Sequence, residues 1–235
     1  MEYPDRQEAF WGYRDVALVA SITFVCYFGL SLIGAILLKT FPALKHHEAA
    51  LIVPLQFFTY GAVYLGLSFT FVIRHGRPTL ESLAWRRSRI SLWIPILSGL
   101  ALPFVLSAIL APFHPPTVST PFDKFFTSRI WFGVLGVIAV TIGPWMEELL
   151  FRGFLQPLLS RSLGVLAGVS LTGLLFGLLH APEYQFAWQY AAAVSLAGVA
   201  FGAIRAWSGS TIASTFMHGA FNLVMFCGML AKGKF

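Results

Sequence analysis

The sequence predicts an all-α fold: a polytopic membrane helix bundle with about seven transmembrane helices. Three observations carry that expectation. Of the 235 residues, 57% are hydrophobic and only 11% are charged, whereas soluble domains carry about a quarter charged residues. So little charge does not cover a surface in water, and the outside of this molecule must face lipid. Second, the apolar runs are long. A helix needs roughly 20 residues to cross the hydrocarbon core, and seven stretches reach that length, at about 16–38, 50–73, 91–112, 130–151, 164–181, 187–207 and 210–230. Third, the runs are continuous, without the ten-residue alternation of membrane strands. Nearly every residue lies in a span or a short connector, so 1–235 reads as a single membrane domain.

The elements follow in order. The first 15 residues are polar and of mixed charge, and the run behind them is longer than a signal-peptide core, so no cleavable signal is expected. The stretch RHGRPTLESLAWRRSR (74–89) is basic. It reads either as an interfacial amphipathic helix capped by Thr79 or as a plain basic connector. The fourth span is expected to continue as helix to about Ser160. Within it Pro144 lacks an amide hydrogen and is expected to kink the chain just below Glu147. Tight connectors, SLG at 162–164, HAPEYQ at 180–185 and WSGS at 207–210, join the last spans.

Charge placement sets an orientation. With seven spans and the N-terminus inside, the inner side holds Arg6, Arg14, Arg74, Arg77, Arg86, Arg87, Arg89, Arg152, Arg161 and Arg205. The outer side holds Lys39, Lys45, Lys124, Arg129, Lys232 and Lys234. Ten against six favours a cytoplasmic N-terminus. The net charge of +6 is scattered between apolar spans rather than gathered in a patch, so no nucleic-acid partner is expected. Cys26 and Cys227 lie in separate apolar spans with no metal-ligand spacing, and no disulfide framework is implied.

Six strongly polar residues interrupt the spans: Glu147, Glu148, Arg152, His180, His218 and Asn222. All lie in the C-terminal half. Each is expensive in hydrocarbon, and such groups face the bundle interior and mark functional sites, or pair structurally. Glu148 and Arg152 are spaced i,i+4 with the acid first, the favourable order for a salt bridge. Glu147 points about 100° away around the helix and is left as an unneutralised carboxylate. His218 and Asn222 share one face, as do Phe176 and His180. Glu147 and His180 each lie about 16 residues from the Leu163–Gly164 turn, roughly 25 Å at ~1.5 Å per residue, so a hairpin brings them to one level, with Glu147 facing His180. Asn222, about 13 residues from Gly209, reaches roughly 20 Å.

Glu, two His and Asn together suit hydrolysis. A carboxylate beside an imidazole activates water, and a second imidazole and an amide donate to an oxyanion. Glu147, His180 and His218 would also serve as zinc ligands, although no His-Glu-x-x-His pair is present. A proton-coupled transporter is a third reading, and a non-catalytic scaffold or immunity protein a fourth. No serine sits in a Gly-x-Ser-x-Gly elbow, and Ser170, Ser195 and Ser214 read as helix-packing contacts.

Three short segments carry a resemblance. EELLFRG (147–153), FGLLH (176–180) and HGAFN (218–222) are similar to the E-E-x-x-x-R, F-x-x-x-H and H-x-x-x-N motifs of the CAAX protease and bacteriocin-processing family, CPBP or ABI. Its known members include the type II CAAX prenyl endopeptidases, intramembrane glutamate proteases. The resemblance covers about 130–226. It implies that Glu147 and His180 activate water and that His218 and Asn222 stabilise the oxyanion. Glu148, Arg152 and Phe176 would support the site, with Glu148 conceivable as a second acid. It implies no metal and no cofactor, a peptide or membrane-protein substrate in the lipid bilayer, and a bacterial inner membrane location; substrate prenylation and oligomeric state stay open. An eighth helix found in some relatives is not expected here. Trp145, before the Glu pair, is bulkier than the family pattern leads one to expect and reads as a packing residue or interface anchor.

Overall fold

The structure is a computed structural model that describes residues 9–120 and 128–231, including side chains except those of 45–50. Among the described residues there is no strand, and seven helices are long and apolar enough to cross a membrane. They are α1 (Tyr13–Thr40), α2 (Leu51–Arg74), α4 (Trp93–Phe113), α5 (Arg129–Leu163), α6 (Val165–Tyr184), α7 (Trp188–Ser208) and α8 (Thr211–Ala231). The four-residue helix α3 (Thr79–Ser82) lies between the second and third of these. The expected spans are all present, and the fourth runs on without interruption to Leu163.

Small residues set the closest crossings. A Cβ on Gly198 of α7 would stand 3.0 Å from the Gly173 Cα of α6, so the two backbones meet where neither carries a side chain. The turns between α5 and α6 and between α7 and α8 use Gly164 (φ 88°) and Gly209 (φ 67°), left-handed conformations that favour glycine.

The 74–89 stretch resolves as a connector. Thr79 is the first helical residue rather than its cap; Pro78 holds the cap position, with no side-chain cap bond. The helix stops after one turn, and Ala84 takes φ 52°. Leu83 is fully buried, against the site where a Cβ on Gly153 of α5 would stand 3.0 Å away. The segment therefore tucks under the bundle, where an interfacial helix would spread an apolar face into lipid. Thr211 ties it to α8, its amide donating to Ala84 O (3.0 Å) and its hydroxyl to Leu83 O (2.5 Å).

The chain before α1 is fastened to the same end. Trp11 Nε1 donates to Phe154 O (3.1 Å), and Arg161 donates to the carbonyls of Ala9 and Trp11. Asp15 accepts from Gly12 N (3.0 Å) and His75 Nε2 (3.1 Å) and forms an ion pair with Arg74 Nε (3.2 Å). Of the charges used for orientation, Arg152 is inside the bundle. Arg6, Lys124, Lys232, Lys234 and the side chain of Lys45 lie outside the described residues.

Candidate active site

The site grows from an irregularity in α5. Two π-helical stretches, Ile138–Ile142 and Leu149–Leu155, flank Gly143–Glu148. In the first, Gly143 N donates to Ile138 O, five residues back. The next amide in that register belongs to Pro144 and does not exist, so that register offers Ala139 O no donor. Asn222 supplies one from α8: Nδ2 donates to Ala139 O at 2.7 Å. The neighbouring carbonyl, Val140 O, lies 2.7 Å from where a Cβ on Gly219 would stand, so α8 approaches this carbonyl only because residue 219 is glycine. The expected disturbance at Pro144 is thus a widened turn closed by Asn222.

The second feature is a buried charge cluster. Glu148 and Arg152 are both fully buried, and Arg152 Nη1 donates to Glu148 Oε1 at 2.9 Å. Arg152 Nη2 donates to Gly198 O on α7 (2.8 Å), and Gln156, one turn on, donates to Gly202 O (3.0 Å). The guanidinium lies over the Phe176 ring at 4.6 Å and near the Phe201 ring at 5.4 Å. Glu148 serves a second partner too. His218 Nδ1 donates to the same Oε1 at 3.1 Å, and the imidazole stacks on Phe201 at 4.5 Å. A carboxylate only accepts, so this contact puts a proton on Nδ1 and directs Nε2 the other way.

Nε2 of His218 points toward Glu147, 3.8 Å from Oε2. That is within ion-pair range and beyond a hydrogen bond. The Glu147 side chain is 24% exposed, against 0% for Glu148. Adjacent glutamates therefore have opposite settings, one sealed in the packing and one open.

His180 is held differently from the expected arrangement. Its Nδ1 donates to Phe176 O at 2.7 Å, with the two rings 4.4 Å apart. A carbonyl accepts only, so Nδ1 carries a proton and Nε2 is not engaged in that bond. Among the described residues no hydrogen bond or ion pair joins Glu147 to His180. The histidine nearest to Glu147 by contact is His218. No three His, Cys, Asp or Glu side chains among the described residues lie close enough to hold a metal ion.

Several neighbours carried no motif. A Cβ on Gly143 would stand 3.2 Å from the Tyr60 hydroxyl and 4.0 Å from Glu147 Oε1, so α2 brings a phenol into the neighbourhood of Glu147. Glu183 lies within electrostatic reach of both His180 and Glu147. Its place three residues after His180 was a readable signal. Tyr60 and Phe201 look like ordinary core residues in apolar spans. Trp145 packs between Tyr64 and Trp85, with ring centroids at 6.1 Å from each, as a packing residue does.

Comparison with known proteins bears on the same stretch. Residues 129–224 match the family model described as Type II CAAX prenyl endopeptidase Rce1-like. No curated protein and no solved structure matches the chain. The matched stretch contains all three motifs and every side chain of the cluster around Glu148. Through residues 129–224, fewer than half of its residues, this chain is similar to the CAAX protease family, CPBP.

Proposed function

We propose that this protein is an intramembrane endopeptidase that hydrolyses a peptide bond of a membrane-associated substrate, with Glu147 as the base. The carrying observation is the contrast between the neighbouring glutamates. Glu148 is sealed between Arg152 and His218 and serves as framework; Glu147 is partly open and faces His218 Nε2. Water positioned by Glu147 and by the free Nε2 of His180 attacks the carbonyl carbon, and Glu147 takes the proton. The carbonyl π electrons move to oxygen. His218 in its imidazolium form, held at Nδ1 by Glu148, donates from Nε2 to that oxyanion. The second N–H of Asn222 Nδ2, which Ala139 leaves unused, is the other donor. Collapse breaks the C–N bond, and the proton held by Glu147 passes to the leaving amine. No acyl-enzyme forms, and no step is assigned to a metal.

The same reading places the protein in a bacterial inner membrane with the N-terminus in the cytoplasm. Arg74, Arg77, Arg86, Arg87, Arg89, Arg161 and Arg205 then lie at the cytoplasmic end. The experiment compares the membrane proteome of cells with and without the gene. One protein shortened only in the presence of the wild-type chain is expected, and Glu147→Ala and His180→Ala should abolish it. Processing that persists in both variants would remove the assignment. Loss of processing in EDTA with recovery on adding zinc would replace it with a metal mechanism.

A further inference from the structure

At the Gly209 end of the bundle a second group of charges is unused by any of this, with Glu148 the one acidic group in electrostatic reach of its Arg205 among the described residues. Arg86 Nε donates to Gly209 O at 3.1 Å, and the backbone bond from Gly209 N to Arg205 O at 3.1 Å closes the last turn of α7, so the Arg86 guanidinium is held at the end of the helix that carries Arg205. Ser210 Oγ donates to Arg86 O and locks the connector there. Arg89 flanks the same glycine, its Nε 3.2 Å from the site of a Cβ on Gly209. It has interactions of its own and adds chiefly its charge. Arg205 lies within electrostatic reach of both Arg86 and Arg89, and its Nε is buried without a hydrogen-bond partner. Like charges gathered where water is partly excluded repel, and a buried guanidinium N–H without an acceptor is unfavourable. One bound anion relieves both.

We propose that Arg205 and Arg86 form a binding site for a phosphate group, occupied by the headgroup phosphate of an anionic phospholipid. The guanidinium fork matches phosphate oxygens. The amides of Thr211 and Ala213, at the start of α8, are already taken by Ala84 O and Ser210 Oγ, so the guanidiniums are the donors. The level in the membrane selects a lipid. Trp207, two residues after Arg205, is 58% exposed, and Trp93 at the same end is 69% exposed. Exposed tryptophans mark the interface where headgroups sit. Anionic lipids of the cytoplasmic leaflet supply the charge. This inference is independent of the protease chemistry and rests on that reading only for the cytoplasmic placement of the arginines.

The test uses the full chain in nanodiscs of phosphatidylcholine alone or with phosphatidylglycerol, read by native mass spectrometry and by thermal unfolding. Wild type should retain one phosphatidylglycerol in preference to phosphatidylcholine and should unfold at a higher temperature in its presence. Arg205→Gln should lower that retention about tenfold, the equivalent of one lost charge-assisted contact. Arg87→Gln, which removes an exposed charge outside the group, should leave retention unchanged. If Arg205→Gln does not fold, Arg205→Lys, which keeps the charge but not the fork, should retain less lipid than wild type. Equal retention in wild type and the foldable Arg205 variant overturns the site, as does equal retention of the two lipids by wild type. Millimolar inorganic phosphate that stabilises the chain as well as phosphatidylglycerol does would overturn the lipid assignment in favour of a free anion.

Discussion

In α1, only 6% of the most apolar 18-residue window is buried inside the protein; in α5 it is 44%. Both helices cross the membrane, and both read from sequence as apolar runs. They are held by different forces. α1 presents Phe24, Phe28, Leu32 and Ile36 outward and is tied at one end by Asp15 to Gly12, Arg74 and His75. α5 is gripped along its length by polar bonds from other helices: Asn222 to Ala139 O, His218 to Glu148, and Arg152 and Gln156 to the backbone of α7. Lipid is as apolar as leucine, so association between helices rests on close packing and interhelical hydrogen bonds. The helix carrying the site has the larger share of both.

The contrast is broken most severely at Arg152. Arg152→Ala strands the fully buried Glu148 and removes a bond to α7, so it should destabilise by about 3–5 kcal/mol, measured by denaturant unfolding in detergent. A loss below about 1 kcal/mol would mean that the cluster does not hold α5 in place.

Next comes the join at Pro144. Asn222→Ala should cost about 1–2 kcal/mol by removing the side-chain donor to Ala139 O. Pro144→Ala restores an amide that can reach that carbonyl, so the same Asn222 change should cost less in that background. A double-mutant cycle should show a coupling of about 1 kcal/mol. Strict additivity would separate the two residues.

At the α1 end, Asp15→Asn should cost about 1 kcal/mol, because Arg74 is 42% exposed and water replaces part of the pairing. It should leave processing intact. The smallest effect belongs to the lipid face: Phe28→Leu, at a residue 55% exposed, should change stability by less than about 0.5 kcal/mol. A large loss at Phe28 would show that α1 is packed against something on its open face.

Much of this architecture was legible beforehand for a physical reason. Hydrophobic length is a local property, so the seven spans could be read from the chain, and i,i+4 spacing on one helix made the Glu148–Arg152 pair readable. Relations between helices were harder. Depth counting brought Glu147, His180 and His218 to one region but paired Glu147 with His180. The count fixes height along the axis and leaves rotation about it free, and two π-helical stretches in α5 alter both. Backbone acceptors were invisible: nothing in the sequence said that Asn222 would serve a carbonyl to which Pro144 offers no amide, or that Arg152 would reach Gly198 O. Thr79 looked like a helix cap, yet burial of Leu83 against Gly153 decided the fate of that segment.

The central claim is that two adjacent glutamates have separate tasks, Glu148 in the framework and Glu147 in the chemistry. The direct measurement is Glu147→Gln, with its unfolding and its processing of the membrane proteome recorded on the same preparation. Stability should stay within about 1 kcal/mol of wild type, because Glu147 is partly open and makes no hydrogen bond among the described residues. The shortened product should fall by at least about a hundredfold. Wild-type amounts of that product from a folded Glu147→Gln protein would contradict the account.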